Sequence, residues 1–179
     1  MKRMIGMAAV LVLSAAPAFA QGESISSAVK KAWAGAKLNI AESAAQMPEA
    51  DYGFKPVDSV RTFGEILAHV AGANYVFCAA TTGEKPPYAE DAFEKTAKTK
   101  ADITKALTES LAYCDAKYNA LTDASALKVV DLPFGMGKNP AVYPLLVNTG
   151  HVNEHYGNLV TYFRIKGMVP PSTTREGRS

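Results

Sequence analysis

Apolar residues recur every three or four positions through four long segments of this chain, and turn-rich stretches separate them. In the first segment Ile25, Val29, Trp33, Ala36, Ile40, Ala44 and Met47 line one face. Serines ahead of it offer a cap and Pro48 a stop, which predicts an amphipathic helix. "ADYGFKPVDS" is a connector. The second segment, "SVRTFGEILAHVAGANYVFCAATTG", puts Phe63, Ile66, Leu67, Val70, Ala73 and Phe77 on one stripe with Gly83 beyond its end. "EKPPYAED" reads as a loop. A third helix follows, with Ile103, Leu107, Leu111, Cys114, Tyr118 and Leu121 in register. The longer connection "ASALKVVDLPFGMGKNPAVYP" contains "LKVVDL", which has the character of a short extended piece. The last helix is predicted to start between Pro140 and Pro144, where a first turn tolerates proline, and to stop at Lys166–Gly167, with Pro170 and Pro171 beyond. "STTREGRS" reads as a frayed tail. Four helices with no regular sheet predict an all-α four-helix bundle.

The first twenty residues fall outside that pattern. A basic start, "MKRM", an apolar run too short to span a bilayer and the small-residue box "AFA" predict a Sec signal peptide cleaved after Ala20. Residues 21–179 are then the mature domain, exported to the periplasm or beyond the cell. No cysteine follows the cleavage point, which disfavours a lipoprotein. Removing Lys2 and Arg3 takes the formal net charge from +2 to near zero (+2 − 2 = 0). A near-neutral domain has no electrostatic footprint for nucleic acid or an acidic membrane surface. No second long apolar run occurs, so the mature protein is expected to be soluble. The two cysteines, Cys78 and Cys114, lie late in successive helices, and in an oxidising compartment they are expected to form an intramolecular disulfide.

The candidate chemistry sits near the C-terminus, in "HVNEHYGNLVTYFRIKGMVPPS". At 100° per residue, His151, Val152, His155, Leu159, Tyr162 and Phe163 fall within a sector of about 120°. Both histidines therefore point with the apolar residues, and their i, i+4 spacing lets two imidazoles share one ion. Glu154 and Asn153 lie off that sector. Alone, the pair is more often the mark of two hydrogen-bonded core histidines than of a metal site. His69 changes the balance: it lies at the edge of the second helix's stripe, beside Gly72 and Ala73, and completes the three-ligand pattern of open metal sites. Glu65, one turn before His69, is the candidate acceptor for that ring or a catalytic base; a solvated helix-face carboxylate is the competing reading. "HVNEH" also fits the H-x-x-E-H pattern of inverted zinc proteases, but the required downstream carboxylate is missing, with only Glu176 remaining. Cys78 stands two and a half turns from His69 and cannot join the site. No phosphate loop, nucleophile elbow or dinucleotide fingerprint is present.

The blocks "YGFKPVDSVRTFGEILAHVAGANYVFCAA" and "HVNEHYGNLVTYFRIKGMVPPS" resemble the two signature segments of the DinB-like (DinB/YfiT-like) superfamily of metalloenzymes. The second carries the trailing phrase of Leu159, Tyr162, Arg164, Gly167, Pro170, Pro171 and Ser172. The resemblance spans nearly all of residues 21–179. It implies a four-helix bundle with a long crossover, often dimeric, and a divalent metal on three histidines matching His69, His151 and His155. Zn²⁺ is the first expectation, with Ni²⁺, Mn²⁺ or Fe²⁺ as alternatives. It also implies kinship with thiol-dependent transferases and isomerases, although Val152 stands where relatives often carry an acidic residue. Two functions follow as expectations. One is an exported metal-dependent hydrolase or thiol transferase acting on a small molecule; the other is a non-catalytic bundle that binds a metal or small ligand.

Overall fold

The structure, a computed structural model, describes residues 24–177. The predicted signal peptide and its cleavage point lie outside the described residues. Helix α1 is Ile25–Gln46, begun by Ser24, whose hydroxyl accepts from the Ser27 N–H. Helix α2 is Phe63–Ala80, and a five-residue helix α3, Ala92–Thr96, follows the loop after it. Helix α4 is Lys100–Ala120, opened by a reciprocal Thr99–Asp102 capping box. A short α5, Asp123–Ala126, leads to strands β1, Val129–Asp131, and β2, Lys138–Pro140. These pair antiparallel, so the extended character of "LKVVDL" is realised as one arm of a small hairpin. Helix α6, Val142–Ile165, and a final α7, Pro171–Glu176, complete the chain.

Four long helices form the bundle, and α1 and α2 each pack against both α4 and α6. The consecutive helices α1 and α2 thus stand across a diagonal, as do α4 and α6. The hairpin-bearing connection from α4 to α6 is the long crossover that this arrangement requires. The predicted apolar stripes are buried, with one exception: Ile25, the first residue of α1, is 64% exposed. Helix α2 is more enclosed than its stripe suggests, since every residue but Glu65 is buried. It touches α4 and α6 on two sides, and α3 with the loop before it lies against a third.

Two segments differ from expectation. The stretch after "EKPPYAED" contains α3, whose single turn and a half is too short to display a period. The tail is helical through Glu176 rather than frayed. The Ser172 N–H donates to the Tyr156 hydroxyl at 3.0 Å, and Arg175 pairs with Glu42 and Asn39 of α1. Those contacts tie α7 to two bundle helices. Among the described residues, no helix is long and apolar enough to cross a membrane.

The core carries one prominent polar anchor. The Tyr118 ring stacks on Trp33 at 4.5 Å between centroids, and its hydroxyl donates to the Leu145 carbonyl at 2.7 Å. Burial pushes this phenol up to about 12. Cys78 and Cys114 are both fully buried and stand at disulfide distance, with Cα atoms 5.4 Å apart.

Candidate metal centre

His69 comes from the middle of α2, and His151 and His155 from successive turns of α6. Because α2 and α6 are packed neighbours, the three rings meet between them. His69 Nε2 and His155 Nε2 each lie 3.1 Å from His151 Nε2. The three rings can offer one ligand atom apiece within 4.8 Å of one another, the geometry of a group able to hold a metal ion. His69 is 7% exposed and His155 8%, while His151 is half-buried. Phe77 packs against His151 at 5.8 Å between centroids, and Phe134 of the hairpin packs outside Phe77. Phe134 holds φ at 58°, a conformation that non-glycine residues rarely adopt, between Pro133 and Gly135.

The protonation of this group follows from its surroundings. His69 Nδ1 lies 3.0 Å from a Glu94 carboxylate oxygen, which only accepts, so Nδ1 carries the proton and Nε2 keeps its lone pair. Burial pushes His151 down to about 3, reinforced by the neighbouring rings of His155 and His69. Burial lowers His155 to about 4, with His69 as the next cause. Neutral imidazoles with lone pairs are what a cation requires.

Hydrogen bonding alone does not account for the convergence. His151 Nε2 has one proton or one lone pair, yet it faces two other Nε2 atoms. With His69 fixed as an Nδ1–H tautomer, a single hydrogen cannot serve both contacts. Three nitrogens at 2.0–2.1 Å from one tetrahedral ion stand about 3.3 Å apart, close to the separations found. His151 Nδ1 and His155 Nδ1, the nitrogens remote from this convergence, are buried without a partner among the described residues. The residues therefore fit a divalent ion held by three Nε2 atoms.

Of the sequence candidates, His69, His151 and His155 are brought together, and Glu65 stands at the start of α2, where it lines the cleft that borders His155. Its carboxylate accepts from the Thr62 N–H at 2.8 Å while the Thr62 hydroxyl accepts from the Glu65 N–H, a capping box that starts α2. That bond holds the Glu65 carboxyl below its ordinary range. The acceptor on His69 is instead Glu94, from α3. A second carboxylate of the same segment, Glu90, lies 3.8 Å from His69 Nε2. Neither was marked by the sequence. A carboxylate more than twenty residues from its histidine, on an element with no readable period, carries no fixed offset to search for. The small residues beside His69 were a usable signal: Gly72 gives room to the backbone of Glu90. A cleft of about 930 Å³ opens beside His155, lined among others by Lys55, Arg61, Glu94, Asn158 and Tyr162.

Solved structures with this fold support the architecture. A DinB-like protein from Bacillus cereus ATCC 10987 superposes with a TM-score of 0.64 at 17% identity, covering 83% of this chain and 97% of that one. A DinB-like protein from Bacillus subtilis gives 0.62 at 20%, with coverage of 79% and 93%. The mycothiol-dependent maleylpyruvate isomerase gives 0.61 at 18%, covering 75% of this chain and 60% of the isomerase. No curated protein sequence matches the chain significantly. The family description that matches is the DinB superfamily, over residues 36–159. That match runs from the middle of α1 into α6, past both of its histidines, and the chain belongs to the DinB superfamily.

Proposed function

We propose that this protein is an exported, metal-dependent enzyme of the superfamily, in which His69, His151 and His155 hold one divalent ion and the site acts on water or a thiol-bearing small molecule. The observation that carries the reading is the convergence of three Nε2 atoms, two of them 3.1 Å from the third, with burial keeping His151 and His155 neutral. Zn²⁺ suits three imidazoles best, and Ni²⁺, Mn²⁺ or Fe²⁺ are compatible donors' partners. When bound, such an ion supplies a Lewis acid that lowers the pKa of a coordinated nucleophile, and three neutral ligands leave its charge uncompensated.

The chain's own residues supply the remaining parts. His155 borders the cleft and is the ligand through which a substrate would approach. Arg61 and Lys55 line the cleft and are cations that could meet a substrate carboxylate, although Arg61 also pairs with Glu94 and Lys55 with Asp58. Phe77 and Phe134 cover the other side of His151 with apolar surface that limits water. A mycothiol-dependent isomerase among the structural neighbours makes a thiol co-substrate worth testing first. The Cys78–Cys114 pair at disulfide distance supports an oxidising compartment, in keeping with the predicted signal peptide.

The test is spectroscopic. Protein loaded with Co²⁺ is titrated with small thiols and with azide while its visible absorption is followed. A new sulfur-to-metal band, or a shift with azide, is expected of an open coordination position. A spectrum indifferent to both would favour the non-catalytic metal-binding reading.

A further inference from the structure

The segment between α2 and α4 is built into the metal centre in a way that its length and composition do not suggest. Residues 84–96 form a strap across α2, held at one end by aromatic packing. Tyr88 lies 4.9 Å from both Tyr75 and Phe93, and Tyr75 lies 5.1 Å from Tyr113 of α4. In the middle, the backbone of Glu90 descends onto α2 at Gly72. A Cβ at position 72 would overlap the Glu90 carbonyl oxygen and come within 2.7 Å of its carbon. No larger residue permits this approach, because the obstacle is backbone and cannot rotate away. At the far end, Lys98 Nζ donates to the Glu94 carbonyl at 2.8 Å.

Glu94 is thereby fixed from several directions. Arg61 Nε donates to one carboxylate oxygen at 2.8 Å, and its Nη2 reaches the other at 3.4 Å. The Arg61 backbone is fixed in turn, since the Tyr162 hydroxyl of α6 donates to its carbonyl at 2.7 Å. The oxygen that meets Arg61 Nη2 is also the one 3.0 Å from His69 Nδ1. A continuous set of contacts therefore runs from α6 through Tyr162, Arg61 and Glu94 to the ligand on α2.

We propose that Glu94 is a positioning residue of the metal centre, holding His69 as an Nδ1–H tautomer with Nε2 aimed at the ion, and that the Gly72–Glu90 contact seats the strap that delivers it. This rests on the three-histidine reading given above. The physical reason is general: a carboxylate on the remote nitrogen fixes the ring's tautomer and orientation and raises its basicity as a ligand, and its loss typically weakens metal binding 10–100-fold. Glu94 meets the ring nitrogen remote from the proposed ligand atom, so its role is to position the ring. Arg61 keeps its carboxylate oriented, so a charge-neutral replacement retains shape while losing part of the effect.

The experiment measures Zn²⁺ affinity by competition with a chromogenic chelator for the unaltered protein, Glu94→Gln, Glu94→Ala and Gly72→Ala. Far-UV circular dichroism of the zinc-free proteins reports folding, and ¹⁵N–¹H spectra of the three histidine rings report tautomers. The expected results are a 10–100-fold loss of affinity in Glu94→Ala, a smaller loss in Glu94→Gln, and a loss in Gly72→Ala although no ligand or partner is altered. His69 should be a single Nδ1–H tautomer in the unaltered zinc-free protein and a mixture in Glu94→Ala. Affinity within twofold of the unaltered protein in both Glu94 variants overturns the proposal while leaving the three-histidine site standing. Should Gly72→Ala fail to fold, the Glu94 variants and the tautomer spectra decide alone. No zinc uptake by the unaltered protein overturns both readings.

Discussion

Asn148 lies directly beneath His151, one turn earlier on α6, and the Nδ2 of Asn148 sits 3.7 Å from the sulfur of Cys78 and 3.7 Å from that of Cys114. The histidine cluster and the cysteine pair are thus successive layers of one core, with the buried Asn148 amide set against the two sulfurs. Asn148 also approaches the Tyr118 hydroxyl at 3.5 Å, which extends the polar layer to α4. A disulfide between this pair would join α2 to α4.

A disulfide between these two helices would act as a brace. Closing a loop over a sequence separation of 36 corresponds to about 3–4 kcal/mol in the chain-entropy account. The Cys78→Ala, Cys114→Ala double variant should show a clearly lower urea midpoint at neutral pH. Neither cysteine of the native protein should react with a thiol reagent before reduction. An unshifted midpoint, or labelling of both thiols in the oxidised protein, contradicts the brace.

Tyr118 sits in the same layer and offers a narrower test. Replacing it with Phe keeps the stack on Trp33 but leaves the Leu145 carbonyl and the Thr149 hydroxyl without their shared partner. The expected cost is about 1–3 kcal/mol in equilibrium unfolding, with helicity unchanged. A neutral substitution would mean that these groups find replacements within the core.

Acid sensitivity follows from the histidines. In the folded, metal-free protein His151 is held at about 3 and His155 at about 4, below their ordinary 6.5. As pH falls past about 6.5 the unfolded chain takes up protons that the folded chain refuses. Stability present at neutral pH is therefore lost from about 6.5 down to about 4 for His155 and about 3 for His151, by up to roughly 1.4 kcal/mol per pH unit for each histidine. Denaturation midpoints of the zinc-free protein should fall steeply from pH 7 to pH 5, and less steeply in a His151→Ala, His155→Ala variant. Parallel pH profiles would show that the rings are not held neutral.

Much of this architecture was readable because burial imposes period. Trp33, Leu107, Tyr118 and Leu159 lie where the three-to-four spacing puts them, and the HxxxH pair inherits its inward direction from Leu159 and Phe163. What escaped is what period cannot encode. Glu65 has a carboxylate at the right distance along the helix from His69, but the open N–H of Thr62 is nearer and claims it. Glu94 rides on five helical residues, and Arg175 on six, too few for a pattern to be seen. Gly72 was noticed as space near His69, yet only the folded chain reveals that the Glu90 backbone fills it.

The central claim is that three histidines from two helices hold one ion. It is tested most directly by elemental analysis of protein purified without a polyhistidine tag, comparing the unaltered chain with His151→Ala. The expected result is one equivalent of a divalent metal per chain in the former and none in the latter, with both equally helical. Metal content unchanged by the substitution, or absent from the unaltered protein even after exposure to Zn²⁺, would contradict it.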